Sequence, residues 1–226
     1  MTDVESLLDA SVVAGWFTIT APEPGSDDHL IDLSQLDFDA LRQELDTGHT
    51  RTAAERLKGQ LNAKVARMVR LNRSRMDYQA ELQRMIDDYN RGALSPDSYL
   101  TQLLDFTHRL SDEEQRAIRE NLTEEELALF DILTKPDPTL TPAQEAQVKA
   151  VARDLLTTLK NEKLVLDWRN KLPSRAAVRS TILTILDRLP DTPYPKPIYD
   201  AKVDAVYQHI YDAYPDATHS IYAHAS

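Results

Sequence analysis

The segment most informative about the fold joins two predicted helices and reads Val69-Arg70-Leu71-Asn72-Arg73-Ser74-Arg75-Met76-Asp77-Tyr78. A basic helix end breaks there at a short Asn/Ser turn, and a second helix follows that ends in Ile86-Asp87-Asp88-Tyr89-Asn90. The first helix is predicted over roughly residues 50–71, because apolar residues spaced by four and three share one helical face. These residues are Leu57, Leu61, Val65 and Met68. The second helix has its own apolar stripe, formed by Tyr78, Leu82, Met85, Ile86 and Tyr89.

Later helices are marked by their capping residues. Ser95-Pro96 provides an N-cap followed by proline at the first helical position. Capping-box spacing, in which two side chains satisfy unpaired helix amides, occurs at Ser111/Glu114, Thr123/Glu126 and Thr141/Gln144. Ser174 is a further predicted N-cap, and a last helix with a tyrosine-rich apolar stripe ends before Pro215. With only five glycines in 226 residues, this punctuation predicts an all-α protein built as a multi-helix bundle.

The chain is expected to divide into two packed helical subdomains. Residues 1–30 form an N-terminal extension or linker that is irregular or contains a short β-strand, at 15–20, and a short helix is predicted at 37–45. The front subdomain covers residues 31–135 and the C-terminal subdomain covers residues 139–214, with the Pro136-Asp137-Pro138 segment between them. Residues 215–226 are expected to form a flexible tail.

Charge is unevenly distributed along the chain. The formal net charge is −11, yet residues 51–75 hold eight basic residues and one acidic residue, so that window carries +7 and the rest −18. A basic stripe on an acidic body suits a limited phosphate contact or an acidic protein surface. The alternative is an ordinary solvated helix face. The candidate contact residues are Lys64, Arg67, Arg70, Arg73 and Arg75.

The sequence lacks the patterns that catalysis would require. A nucleotide-driven motor needs a glycine-rich loop ending in Lys-Ser or Lys-Thr, and the glycines lie only at positions 15, 25, 48, 59 and 92. No Glu-x-Lys triplet of a nuclease occurs, the six histidines show no zinc-ligand spacing, and there are no cysteines. We therefore predict no catalytic, cofactor-binding or metal-binding residue. No apolar run is long enough to cross a bilayer, and the acidic N-terminus is unlike a secretory signal, so a bacterial cytoplasmic location is expected.

Several segments resemble, in order and spacing, the helical region that closes the restriction subunit of type I restriction-modification enzymes. The resemblance spans roughly residues 30–214 and begins at Ile31-Asp32-Leu33-Ser34-Gln35-Leu36-Asp37-Phe38. It continues through the 71–78 turn, where the family usually has Asn-Pro-x-Arg; Arg73 replaces that proline here, so a less rigid turn is expected. Leu122-Thr123-Glu124-Glu125-Glu126-Leu127-Ala128-Leu129-Phe130-Asp131-Ile132-Leu133 resembles the family's Leu-Thr-x-x-Glu-x-x-Phe-Asp-x-Leu segment. Asp167-Trp168, Arg175, Val178-Arg179 and the tyrosine-rich last helix complete it.

The resemblance implies a non-catalytic interaction domain. In that family the restriction subunit combines a nuclease domain, two ATP-driven motor domains and a C-terminal helical domain that helps attach the motor to the methylase and specificity subunits. The expected partners are therefore these subunits and the motor domains, with DNA contacted through the complex and no membrane. The candidate interface residues are Trp168, Arg169, Arg175 and Arg179, although Trp168 would also suit a gap between helices. Two rival hypotheses are a stand-alone nucleic-acid-binding protein that uses the 51–75 helix and an enzyme with an unrecognised site.

Overall fold

The computed structural model describes residues 50–223, which contain eight α-helices and no strand. They are α1 (Thr50–Leu71), α2 (Met76–Asn90), α3 (Pro96–Glu114), α4 (Arg116–Arg119), α5 (Glu124–Thr134), α6 (Pro142–Thr158), α7 (Leu172–Leu186) and α8 (Lys196–Ala213). Two 3-10 turns (Arg73–Arg75 and Trp168–Asn170) and a π-helical turn (Leu159–Lys163) connect them. The predicted all-α class is confirmed. The strand predicted at 15–20, the helix at 37–45 and the 1–30 extension lie outside the described residues.

Three of the five predicted caps begin a helix. Ser95 accepts the amide of Ser98, with Pro96 at the start of α3, and both Thr123 and Thr141 form complete capping boxes. Two predicted caps are wrong. Ser111 lies inside α3, because the buried face of that helix continues through Leu110 to Glu113. Ser174 lies in the first turn of α7, which begins at Leu172 and carries proline at its N-terminal end.

Helices α1, α2 and α3 form a front core. The predicted apolar face of α1 is buried, and its closest partner is α3. Tyr89 stacks on Tyr99 with ring centroids 4.3 Å apart, which fixes the end of α2 against the start of α3. The core of this front cluster comprises Ala53, Ala54, Leu57, Leu61, Val65, Met68, Leu82, Met85, Ile86, Tyr99, Leu100, Leu103, Leu104, Phe106 and Leu110.

Helices α4 to α8 form a back core, to which Leu71 at the end of α1 also belongs. Its largest fully buried side chain is Trp168, whose indole N–H donates to the carbonyl of Tyr214 over 2.9 Å. In α3 the buried apolar side chains belong to the front core as far as Leu110, and from Ala117 in α4 onward they belong to the back core. The apolar side chains of α5 are therefore part of the back core. Helix α5 is apolar on most of its surface, and α6 and α8 cover it. The division into two subdomains at residues 136–138 stays a prediction.

Residues 215–223 pack on the back core, which differs from the flexible tail expected there. The amide of Ala217 donates to the carbonyl of Leu164 over 2.8 Å, and the amide of Ile221 donates to the carbonyl of Ala213 over 3.0 Å. Tyr222 is buried, and its hydroxyl donates to the carbonyl of Leu71 over 2.6 Å. The two backbone hydrogen bonds and the buried Tyr222 together hold the segment against the back core. Within residues 50–223, no helix is long and apolar enough to span a membrane.

Candidate interaction site: a buried polar junction beside an arginine–tyrosine face

The turn after α1 is held by the side chain of Asn72. Its Oδ1 accepts the backbone N–H of Ser74 over 3.0 Å, and its Nδ2 donates to Oδ2 of Asp131 over 2.7 Å. The hydroxyl of Ser74 donates to the same carboxylate oxygen over 2.9 Å. Because Asn72 caps the 3-10 turn and contacts α5 at once, it fixes both the exit from α1 and the position of α5.

Asp131 is the fully buried acceptor at the centre of this junction. Arg116 forms an ion pair with its Oδ2, and the ammonium of Lys135 lies 3.3 Å from the same atom. Burial alone would raise the pKa of Asp131, but the hydrogen bond and charge of Arg116, helped by Lys135 and Asn72, outweigh it and lower that pKa. The carboxylate therefore stays ionised, and its Oδ1 has no hydrogen-bond partner among residues 50–223.

Arg75 lies in the same junction and not on the surface. Its side chain is 3% exposed, its Nε donates to Oε1 of Glu113 over 2.9 Å, and its guanidinium also pairs with Glu124. Burial would lower the pKa of Arg75, but these two carboxylates raise it, so the side chain is always charged. Arg75, one of the candidate contact residues, therefore forms ion pairs inside the domain.

The rest of the basic window is only partly available to a partner. Lys58 pairs with Glu55, and Lys64, whose side chain is largely covered, pairs with Glu114. Arg67 is half-buried, and Arg70 is exposed on the last turn of α1. The high local charge of the sequence is therefore offset in three dimensions by carboxylates from α1 and α3.

Three arginines from three different elements converge on one side of α8. Arg73 pairs with the carboxylate of Asp212 over 3.1 Å, and Arg169 donates to the carbonyl of Asp212 over 3.2 Å. The guanidinium carbon of Arg169 lies 5.3 Å from the ring centroid of Tyr211. Arg73 comes from the 72–75 turn and Arg169 from the 168–170 turn, so the fold joins members of the two predicted contact sets.

Arg179 extends this surface along α8. It pairs with Asp204 over 2.6 Å, and its guanidinium carbon lies 5.4 Å from the ring centroid of Tyr207. Positions 204, 207, 208, 211 and 212 share one side of a helix, because residues three and four apart are neighbours. We call this surface the Arg–Tyr face; it comprises Arg73, Arg169, Arg179, Asp204, Tyr207, Tyr211 and Asp212.

Trp168 supports the face from beneath. The indole is fully buried and meets the ring of Tyr211 edge to face, with centroids 5.8 Å apart. Trp168 thus fills a gap between helices, which is the alternative considered for it in the sequence. Its contact with Tyr211 also positions a residue of the surface. Arg175, in the first turn of α7, is half-buried. The predicted set contains neither Tyr207 nor Tyr211, because the pattern of the last helix predicts an apolar stripe that includes Tyr207 and assigns no role to Tyr211.

The described part of the chain shows no arrangement for metal chemistry. Among residues 50–223, no group of three or more histidine, aspartate or glutamate side chains is placed to hold a metal ion. The titratable side chains gathered at the junction neutralise one another in ion pairs, which is an arrangement for holding helices together.

Fold and junction together define an all-helical domain in which two separate sequence segments are tied by buried polar contacts. These segments are 71–78 and 122–133, two of the stretches on which the resemblance rests. The chain belongs to the family described as type I restriction enzyme HindI endonuclease subunit-like, C-terminal, whose model matches residues 1–214. The family predicted from the motifs is thereby confirmed, and with it the context of a type I restriction enzyme. No curated protein and no solved structure matches the chain.

Proposed function

We propose that this domain is a non-catalytic docking module of the restriction subunit. It attaches the DNA-translocating motor and nuclease to the methylase and specificity subunits, in defence against foreign DNA. The observation that carries the proposal is the convergence of Arg73, Arg169 and Arg179 on one side of α8. The candidate interface is accordingly the Arg–Tyr face.

The composition of the face favours a protein partner. Tyrosine and arginine are enriched where binding energy is concentrated, since each offers a large amphipathic surface and hydrogen-bond donors. Here both tyrosine rings are covered on one side by a guanidinium, at 5.3 Å for Tyr211 and 5.4 Å for Tyr207. Stacking of this kind restricts the side chains before a partner arrives, which reduces the entropy lost on binding.

Direct binding of DNA is less well supported. Arg73 and Arg179 each pair with an aspartate on the face, so its three arginines are opposed by Asp204 and Asp212. A phosphate-binding surface gains affinity from cations that release counterions, and paired cations release few. In this proposal DNA is therefore contacted through the complex, and the nucleic-acid-binding alternative would have to rest on α1.

The proposal extends to the organisation of the domain. The front helices at 31–135 and the C-terminal helices at 139–214 act as two subdomains; the second carries most of the Arg–Tyr face, and the first contributes Arg73. The partners are the methylase subunit, the specificity subunit and the motor domains, and the complex works in the bacterial cytoplasm. The domain itself contributes no catalytic, cofactor-binding or metal-binding residue to the reaction.

The test is co-elution of the chain with the methylase–specificity complex encoded in the same genome, with and without DNA. Stable co-elution without DNA is the expected result. Binding of the isolated chain to DNA, lost with increasing salt and on reversing Arg67 and Arg70 to glutamate, together with no co-elution, would contradict docking and favour the alternative.

A further inference from the structure

A groove with apolar walls lies between the C-terminal end of α5 and the first half of α8. Its volume is about 740 Å³, within the range that small ligands and short peptide segments fill. Its apolar lining consists of Ile132, Pro136, Pro197, Ile198, Ala201 and Ala205. These residues come from α5, the segment that follows it, and α8. The two helices pack on each other in the back core, so the groove is formed before any ligand binds.

The groove contains a buried cation with unused hydrogen-bonding capacity. Lys202 lines it, is only 7% exposed, and donates from Nζ to the carbonyl of Lys135 over 2.7 Å. An ammonium has three N–H donors, and among the described residues Lys202 forms no ion pair with a carboxylate. Burial lowers the pKa of Lys202, only partly offset by Asp137, as expected for an ammonium that lacks an anion.

A second buried polar atom lies at the same groove. Asp131 also lines it, and its Oδ1 is buried without a hydrogen-bond partner among the described residues. A peptide segment that carries glutamate or aspartate offers a carboxylate. The unused N–H donors of Lys202 therefore complement an acidic side chain of such a segment.

We propose that this groove binds a short protein segment that places an acidic side chain against Lys202 and apolar side chains against Ile132, Pro136 and Ile198. A nucleic acid fits less well, because the cations Arg73, Lys135 and Lys202 are balanced by Asp77, Asp131 and Asp137 along the lining. Arg73 belongs to both the groove and the Arg–Tyr face, so the two surfaces adjoin. The inference rests on the proposed docking function in one respect: the segment belongs to a subunit of the same complex.

The probe is a set of overlapping peptides that covers the methylase subunit, the specificity subunit and the motor domains, titrated by fluorescence polarisation against the full chain. Binding is expected for a peptide with an acidic residue among apolar ones. Lys202→Met keeps the aliphatic stem and removes the charge, so it should weaken binding about tenfold. Ala205→Arg should block the groove. Lys196→Met is the matched control, because Lys196 lies on the same helix with its side chain 84% exposed.

A charge-neutral version of the bound peptide makes the test specific. Replacing its glutamate by glutamine should weaken binding to the native chain and leave binding to Lys202→Met unchanged, since the two changes remove one interaction. The proposal is overturned if no peptide binds, or if Lys202→Met and Ala205→Arg bind as the native chain does while circular dichroism shows them folded. If the chain co-elutes with the methylase–specificity complex but binds no peptide, only the proposal for the groove is overturned. If a peptide binds but the chain does not co-elute, only the proposal of docking through the Arg–Tyr face is overturned.

Discussion

Asn72 donates a hydrogen bond from Nδ2 to Oδ2 of Asp131 over 2.7 Å, and both side chains are buried although 59 residues separate them. The first residue follows α1 and the second lies on α5, so the bond ties the front helices to the back core. Each belongs to a sequence segment that carries the family resemblance. The two segments that carry the resemblance are thus joined by a buried contact between the turn after α1 and helix α5.

Loss of the Asp131 carboxylate should destabilise the domain strongly. Asp131→Ala removes the fully buried one of the two carboxylates that pair with Arg116, and with it the acceptor for Asn72 and Ser74, which should lower the free energy of unfolding by about 3 kcal/mol. Asn72→Ala removes one hydrogen bond and the cap of the turn, at a cost of about 1 to 2 kcal/mol. Urea denaturation monitored by circular dichroism measures both. Asp105→Ala is the control, because Asp105 is exposed on α3; an effect of similar size there would contradict the assignment.

Substitutions of Arg75 and Arg70 should have different effects on stability, although both residues lie in the basic window. Arg75→Met removes a buried guanidinium from Glu113 and Glu124 and should cost about 3 kcal/mol of unfolding free energy. Arg70→Met changes an exposed side chain and should stay within about 0.5 kcal/mol. Thermal denaturation of the two variants distinguishes a structural arginine from a surface one. Equal melting temperatures would show that the Arg75 ion pairs do not hold the junction.

His209 should make stability depend on pH. Burial lowers the pKa of His209 from an ordinary value of 6.5 to about 4. The charge of Arg73 also lowers this pKa, and the carboxylates of Asp212 and Glu125 raise it by less. Between pH 6.5 and 4 the unfolded chain binds a proton that the folded chain does not, so stability should fall as pH falls through this window. Below the pKa of His209 in the folded chain, both states carry the proton and the stability lost through this group is complete. That loss is at most on the order of 3 kcal/mol.

A variant isolates this group. His209→Gln keeps an N–H donor near the hydroxyl of Tyr222, which lies 3.1 Å from Nε2 of the imidazole. Urea denaturation at several pH values should show a shallower dependence for His209→Gln, and an unchanged one for His108→Gln, whose histidine is exposed. An identical slope for all three proteins would show that His209 does not titrate as its burial implies.

The hydroxyl of Tyr222 should contribute measurable stability. Its single hydrogen donates to the carbonyl of Leu71, so His209 acts as the donor in the bond between their side chains. Tyr222→Phe keeps the buried ring and leaves that carbonyl unpaired, which should cost about 1 kcal/mol. Tyr207→Phe, on the Arg–Tyr face, should be close to neutral. Native-state hydrogen exchange would report the loss at the end of α1, and unchanged protection there would count against the bond.

The fold class was predictable because it depends on local signals. Apolar spacing in α1 and α2 and the caps at Ser95, Thr123 and Thr141 are properties of short segments, and the structure retains them. The ion pairs of the junction depend on distant residues. Arg75 is a candidate phosphate or partner contact in the sequence, and its carboxylate partners Glu113 and Glu124 are 38 and 49 residues away; sequence periodicity does not reveal such pairs.

The candidate site was only partly predictable for the same reason. Arg73 was assigned to one set of contacts and Arg169 and Arg179 to another, and α8 brings all three together. The tyrosine stripe of α8 contained the missing signal, because Tyr207 and Tyr211 follow the helical spacing yet remain half-exposed. An amphipathic side chain at the edge of an apolar stripe serves packing and contact at once.

The central claim is that the Arg–Tyr face binds a protein partner, and the most direct measurement is the affinity of the purified chain for the methylase–specificity complex. Arg179→Glu should weaken binding by at least about tenfold without changing the melting temperature appreciably, because its side chain is exposed. Tyr207→Ala should weaken binding as much and also lower the melting temperature, because its ring is partly packed against the back core. Arg188→Glu is the control, since Arg188 is an exposed arginine that pairs with Asp154 away from the face. Affinities that are unchanged in the face variants, or reduced equally by Arg188→Glu, would contradict the account.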